Sequence, residues 1–382
     1  MRKPKLLSSE VVPDDVVFDI LTQMPVKSLI RFRCVSKSLN SIITNPNFIK
    51  KHFNRPNANN NGYLLYLQRS EDYYSLRNEL CTVVCNSDKT LSHVSRFQIP
   101  FSHVRIVDFC NGIFCIYNYN NNNIVYLWNP STRKFKMLDY TRFCFSFTSG
   151  FVSLGFAYHS QNNDFKILRI VSFKRILGEQ LRRTVLAEVY TLSTDSWRKV
   201  VISKIEFIAE PTHLFFNGAL HSIAHTRDHD FHLNKCILSF DVNDERFCEI
   251  MLPPNYLDGI FNPFERLAVF KGSLALIVFG KRPVNFTFNS VCHIWVMKEY
   301  GVVESWTKKI LPVDSGAEFF CCTDSGELLV PTADKGLNSY DPESLNKNKL
   351  DIQHPLWLGY TTSLMESLVL LDQVKMSSKY ED

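Results

Sequence analysis

Glycine is scarce in this chain, with 14 residues among 382. That excludes a collagenous or glycine-rich low-complexity architecture. Charged residues make up only 21% while aromatics reach 13%, the reverse of what a disordered scaffold carries. The 11 cysteines are odd in number and form no CxxC pair, which speaks against a disulfide framework or a structural zinc. No apolar stretch approaches the roughly 18 residues of a membrane helix, and the N-terminus has no apolar signal core. Neither secretion nor a membrane partner is expected, and a reducing compartment, cytoplasm or nucleus, is. There is also no glycine-rich phosphate loop, G-x-S-x-G elbow or H-E-x-x-H. No catalytic set, cofactor or metal is expected.

What is present is a large apolar fraction, 45%, rich in Phe and Tyr. The length allows two or three domains and a sizeable core. The net charge of +5 is unevenly spread. Residues 1–55 hold ten Lys and Arg against four Asp and Glu, a net of +6; the remainder holds 33 against 34, a net of −1. A nucleic-acid-binding face needs clustered cations over the main body, so no nucleic-acid partner is expected. Cys110, Cys115 and Cys292 each follow Phe or Val, a setting in which a free thiol behaves as a small core hydrophobe.

The first 55 residues read as helical. Pro13 with Asp14 and Asp15 is a helix start, because proline tolerates the first turn and carboxylates favour the positive end of the helix dipole. Val17, Ile20, Leu21 and Met24 then fall on one face, and Pro25 ends that helix. Further apolar-periodic pieces cover 27–34 and 37–43, and Asn45-Pro46 opens a last one through Phe53. So small a module is marginal alone and needs a partner surface. Residues 10–55 are read as this module, and 56–61, one Pro and four Asn among them, as a polar linker.

From residue 62 to about 372 the texture changes to short β-type runs between turn clusters, with 373–382 read as a disordered tail. Such strands indicate a sandwich, barrel or propeller, and a repeat favours the propeller. Asn111-Gly112, Asn217-Gly218, Lys271-Gly272 and Ser325-Gly326 each precede an apolar strand. Their glycines are spaced by 106, 54 and 54, the first interval being close to two periods. Strand-turn units follow, among them Trp128-Asn129-Pro130, Phe240-Asp241 and Tyr340-Asp341-Pro342. A period near 50 is that of a four-stranded kelch-type blade. The expected fold class is α plus all-β: a short helical module followed by a kelch-like β-propeller, with an irregular sandwich as the alternative.

Val12-Pro13-Asp14-Asp15 through Leu21, then Met24-Pro25-Val26-Lys27-Ser28-Leu29 and Cys34-Val35-Ser36-Lys37, resembles an F-box over about residues 10–52. Residues 62–372 are similar to the plant F-box-associated, kelch-related domain. The best matches are Trp128–Thr132, Thr194–Trp197 and His293-Ile294-Trp295-Val296-Met297-Lys298-Glu299-Tyr300-Gly301-Val302, followed by Glu304-Ser305-Trp306. The resemblance implies a non-catalytic substrate-recognition subunit of an SCF-type ubiquitin ligase. Its F-box would dock on the Skp-family adaptor, with a cullin beyond it, and the β domain would hold a target protein for ubiquitylation and proteasomal degradation.

By position, the resemblance gives Pro13, Ile20, Leu21, Pro25, Val26, Leu29, Cys34 and Val35 to the adaptor contact, as lining or support. Lys27 and Lys37 fall at its charged rim, and the +6 segment suits an acidic adaptor. The sequence departs from the pattern twice: Val12 stands for the usual Leu, and Leu39 for the usual Trp. Both stay apolar, and losing a Trp weakens docking by about 1–3 kcal/mol. The 293–302 stretch is also similar to S-locus F-box proteins, pollen determinants that recognise pistil ribonucleases, which would make an S-ribonuclease the target. Two rivals stand beside this: a kelch-type scaffold that engages no ligase, and a propeller enzyme, which needs titratable groups clustered in the central channel.

Propeller loops at one face usually do the recognising. The loops near Asn118 (118–123), His229 (226–232) and Asn285 (281–290), with 71–77, are therefore candidates for the substrate surface. His221, His225 and His229 would stack as metal ligands on a helix, but the strand-like run before them alternates them instead. Cys321 and Cys322 point to opposite faces of a strand and are read as packing. Asn285-Phe286-Thr287 is a glycosylation sequon in form only.

Overall fold

The computed structural model describes residues 12–53, 62–69, 77–85, 91–118, 124–138, 150–177, 180–202, 204–227, 233–284, 287–313, 319–332, 334–361 and 366–369. The expected linker at 56–61 and tail at 373–382 lie outside them.

Four helices come first: α1 (Asp14–Thr22), α2 (Val26–Phe32), α3 (Lys37–Thr44) and α4 (Pro46–Phe53). Prolines set three of the starts. Pro13 and Pro25 stand at the N-caps of α1 and α2, and Pro46 opens α4, where the absent N–H has no intrahelical acceptor to lose. α3 uses a polar cap instead, the Ser36 hydroxyl accepting from the Leu39 N–H at 3.1 Å.

The strands form six antiparallel sheets, each four strands deep, with the innermost strand of the fourth split in two. Five of these blades are contiguous in sequence: 104–137, 151–200, 205–251, 261–312 and 321–353. The first blade is shared between distant parts of the chain. Tyr63–Arg69, Arg77–Cys85 and Leu91–Ser102 are completed by Trp357–Thr361, which pairs antiparallel with the first of them, Tyr63 opposite Thr361. This closes the ring and covers an edge that would otherwise be open to pairing. The helical module and the propeller expected from sequence are both present, and the blade number is six.

Alternation along each strand sends successive side chains to opposite faces of a blade. Both faces are covered here, so the strands read as unbroken apolar runs. Leu65 and Leu67 pack toward the second blade, whereas Leu64 and Tyr66 pack toward the sixth. Six such inter-blade cores run around the ring. Cys81, Cys115, Cys236 and Cys292 are buried within them, as packing rather than chemistry. Trp128 and Trp306 are buried as well, and Trp197, Trp295 and Trp357 pack half-buried against these cores.

The Gly repeat marks the turn between the two innermost strands of a blade. At Asn111-Gly112 and Asn217-Gly218 both residues have positive φ, 50° and 73°, then 48° and 74°. That is the mirror-image turn whose twist matches a tight hairpin, and it needs the glycine. The 106-residue gap skips the third blade, which turns at 160–163 without glycine and places Asn163 in the left-handed region.

Candidate functional site

The helical module closes on Leu21, Val26, Leu29, Ile43 and Phe48, all buried, with Phe18 edge-on to Phe48 at 5.2 Å. Leu21, Val26 and Leu29 therefore support the expected adaptor surface from inside, and Leu39 is half-buried against the same core. Val12, Pro13, Pro25, Lys27, Cys34, Val35 and Lys37 are exposed. Ile20, which spacing groups with Val17, Leu21 and Met24 and the resemblance gives to the adaptor contact, turns outward and is 56% exposed. One turn before it Val16 is also exposed, and Val35, beyond α2, is 70% exposed. Val16 was not singled out from sequence, although its four-residue spacing from Ile20 carried the signal. These aliphatic side chains stay outside a helical core that is already closed.

The module is held by a strap from the far end of the chain, residues 366–369. Leu368 is the sixth buried member of the helical core, while Val369 packs with the core between the second and third blades. The Glu366 carboxylate accepts from the Val26 N–H at 3.1 Å. Asn129, fully buried at the end of a second-blade strand, makes the reciprocal contact. Its Nδ2 donates to the carbonyl oxygens of Ser367 at 3.0 Å and Val369 at 2.8 Å, and its Oδ1 accepts from the N–H groups of Ser131 and Thr132. The Trp128–Thr132 motif is thus the anchor of this strap. Beside it lies a cavity of about 180 Å³, lined by Pro46, Ile49 and Phe53 of α4 and by Asn111, Tyr158 and Asn163 from inner turns of the second and third blades.

The 293–302 motif is likewise absorbed by the fold. His293, Ile294 and Val296 are buried in the fifth blade, and the turn that follows carries Tyr300 across to the fourth. There the Tyr300 hydroxyl lies 2.7 Å from His221 Nε2. Burial pushes His221 down to about 4. His221 and His225 are separate strand residues, and among the described residues no cluster suits a metal; His229 lies outside them.

A polar group does sit on the inner strands. The Ser153 hydroxyl donates to the Glu210 carbonyl at 2.7 Å and lies 3.0 Å from His213 Nε2. Burial holds His213 down at about 3 and pushes the Glu210 carboxyl up to about 7, the Arg266 guanidinium 3.9 Å away pulling it back. The main chain here is tied across blades, the Leu154 N–H donating to the Pro211 carbonyl and the His213 N–H to the Leu154 carbonyl. Ser153 and His213 are both buried and fasten the third blade to the fourth.

At the opposite end of the propeller lie the hairpins between the second and third strands of each blade. The segments named from sequence, 71–77, 118–123, 226–232 and 281–290, lie in the chain between those strands, and 71–76 is outside the described residues. Asn118 is buried at a strand end, whereas 119–123, His229 and Asn285 are outside the described residues.

Comparison with known proteins is consistent along the chain. Residues 12–51 match the F-box domain and 64–355 the F-box associated beta propeller domain. An Arabidopsis thaliana F-box protein is 26% identical over 383 aligned residues, covering 87% of this chain and 86% of the relative. The F-box protein CPR1 of the same plant is 27% identical over 316, covering 78% and 72%. An Arabidopsis F-box/kelch-repeat protein is 24% identical over 317, covering 80% of each.

Proposed function

The chain belongs to the F-box proteins that carry an F-box associated β-propeller domain, and from that premise we propose that it is a substrate receptor of an SCF-type ubiquitin ligase. The observation that carries the reading is that Val16, Ile20 and Val35 are left exposed on a helical core that is closed without them. In this reading these side chains receive the Skp-family adaptor, with Val12, Pro13, Pro25 and Cys34 around them. Lys27 and Lys37 form a basic rim that speeds encounter with an acidic adaptor. The propeller end away from the helices holds the target. Transfer chemistry belongs to other subunits, and this chain contributes proximity, raising the local concentration of target at the transfer site.

The test is co-purification with the adaptor. Val16→Asp with Ile20→Asp changes only exposed side chains, so the fold should survive while the complex is lost. If the wild type captures no adaptor, or the double variant captures it equally well, the chain is a kelch-type scaffold outside any ligase. The finer reading, a pollen determinant that recognises S-ribonucleases, rests on the 293–302 stretch. Those residues serve the contact between the fourth and fifth blades, so they support it no more than they support any member of the family. Transcript confined to pollen and anthers is what that reading requires.

A further inference from the structure

At the propeller end away from the helices, a cleft of about 420 Å³ opens between the third and fourth blades. Phe151, Ser172, Lys174 and Arg183 line its third-blade wall. They are register partners, Phe151 opposite Ser172 and Lys174 opposite Arg183, so alternation puts them on one sheet face. Phe207 forms the other wall. Its ring stacks on His225 at 4.0 Å, and the Arg183 guanidinium lies 4.5 Å from its centroid. Phe151 is 42% exposed at the mouth.

The charge on this hairpin works against the fold. Lys174 stands directly opposite Arg183. Like charges facing one another across a hairpin destabilise it. Among the described residues neither Lys174 nor Arg183 has a carboxylate partner, whereas cations elsewhere on the same ring are paired, Lys235 with Glu265 and Arg227 with Glu206 among them. The β domain is close to neutral as a whole, yet residues 172–185 hold four cations and one acid. An uncompensated pair of cations beside an open aromatic cleft fits a partner that brings the anions with it.

We propose that this cleft docks an acidic segment of the target protein. One apolar side chain of that segment enters between Phe151 and Phe207, and flanking Asp or Glu carboxylates meet Lys174 and Arg183. The proposal rests on the receptor reading above and names the chemistry of the target. The geometry suits it. The strand Asp164–Leu177 begins beside the seat of α4, and Lys174, ten residues along it, is about 33 Å away at the usual strand rise. The target is thereby kept clear of the adaptor.

The experiment uses the full chain co-purified with its adaptor and three short fluorescein-labelled peptides, read by anisotropy. One carries Asp and Glu around a single Leu, the second replaces every acid with its amide, and the third carries phosphoserine in place of the acids. The acidic peptide should bind, the amide peptide should not, and salt should weaken the complex. Lys174→Glu should weaken binding about tenfold or more, while Tm stays level or rises because the cross-strand pair with Arg183 becomes one of opposite charge. Lys349→Glu, on the sixth blade, should leave binding unchanged. Equal binding of the amide peptide, unchanged binding by Lys174→Glu, or binding of the phosphoserine peptide alone would each overturn the proposal. Absence of peptide binding by a chain that still holds its adaptor counts against the cleft and leaves the receptor reading standing. Loss of the adaptor alone does the reverse.

Discussion

Asn129 and Val369 are 240 residues apart in sequence, and the side-chain amide of the first donates to the carbonyl oxygen of the second at 2.8 Å. Every donor and acceptor of that buried amide is used, two on the strap and two on its own turn. Asn129→Ala removes the donors to the Ser367 and Val369 carbonyls, at about 1–3 kcal/mol for each buried group left unmade. The expected outcome is a lower Tm and faster amide exchange in α2 and α4, with exchange in the fifth and sixth blades unchanged.

Leu368→Ala probes the same strap from its apolar side. The residue is buried among the helices, and removing its side chain should destabilise the module by about 2–5 kcal/mol. Urea unfolding followed separately by helical and aromatic signals should show the helical transition moving to lower denaturant. Coincident movement of both would mean that module and ring unfold as one unit.

Leu39→Trp restores the residue usual at this place in an F-box. Leu39 is half-buried at the start of α3, so a larger ring can spread over the exterior of the core. Adaptor affinity should rise about tenfold, within what one aromatic anchor contributes. Calorimetric titration of both proteins against the adaptor checks this.

Arg169 and Glu188 face one another across a third-blade hairpin, 3.6 Å apart and both buried. Glu188→Ala removes the carboxylate that faces a buried guanidinium and should destabilise the protein by about 3–5 kcal/mol. Replacing both with well-packed apolar residues should cost far less. A thermal melt in which the single and double variants behave alike would contradict the pairing.

Glu210 supplies a pH signature. Burial raises its carboxyl from 4.5 to about 7, so between those values the folded state binds more protons than the unfolded one. Stability from this group therefore falls as pH rises through that window. Glu210→Gln should melt above the wild type at pH 8 and level with it near pH 4.5. His213 and His221, held down by burial, act with the opposite sign, losing stability as pH falls below 6.5, and they are common to both proteins.

Much of this architecture was legible because its signals are local. Pro13, Pro25 and Asn45-Pro46 bound helices through backbone geometry alone, and Asn-Gly turns recur wherever a hairpin demands two positive φ values. The blade number was not legible. The first blade borrows Trp357–Thr361 from the far end of the chain, and the third turns without glycine, so two of six units leave no mark on the repeat. Spacing groups Ile20 with Val17, Leu21 and Met24 but does not say which of them a neighbour covers, and Ile20 is the one left exposed. Asn129 belonged to a motif visible from the start, but its partners are main-chain carbonyls at 367 and 369, and a backbone acceptor has no identity in a sequence. The basic cleft was hidden in a net charge of −1, since summing a domain erases which charges face each other.

The strap also sets an order of manufacture. A nascent chain that has produced every F-box helix still lacks Leu368 in their core, and its ring lacks an inner strand until Trp357–Thr361 emerges. A product stopped before residue 366 therefore carries its F-box helices without Leu368 in their core and without the strap that Asn129 holds. In the proposed receptor role, adaptor docking on a finished module therefore follows synthesis of the strap and of the ring that would hold the target.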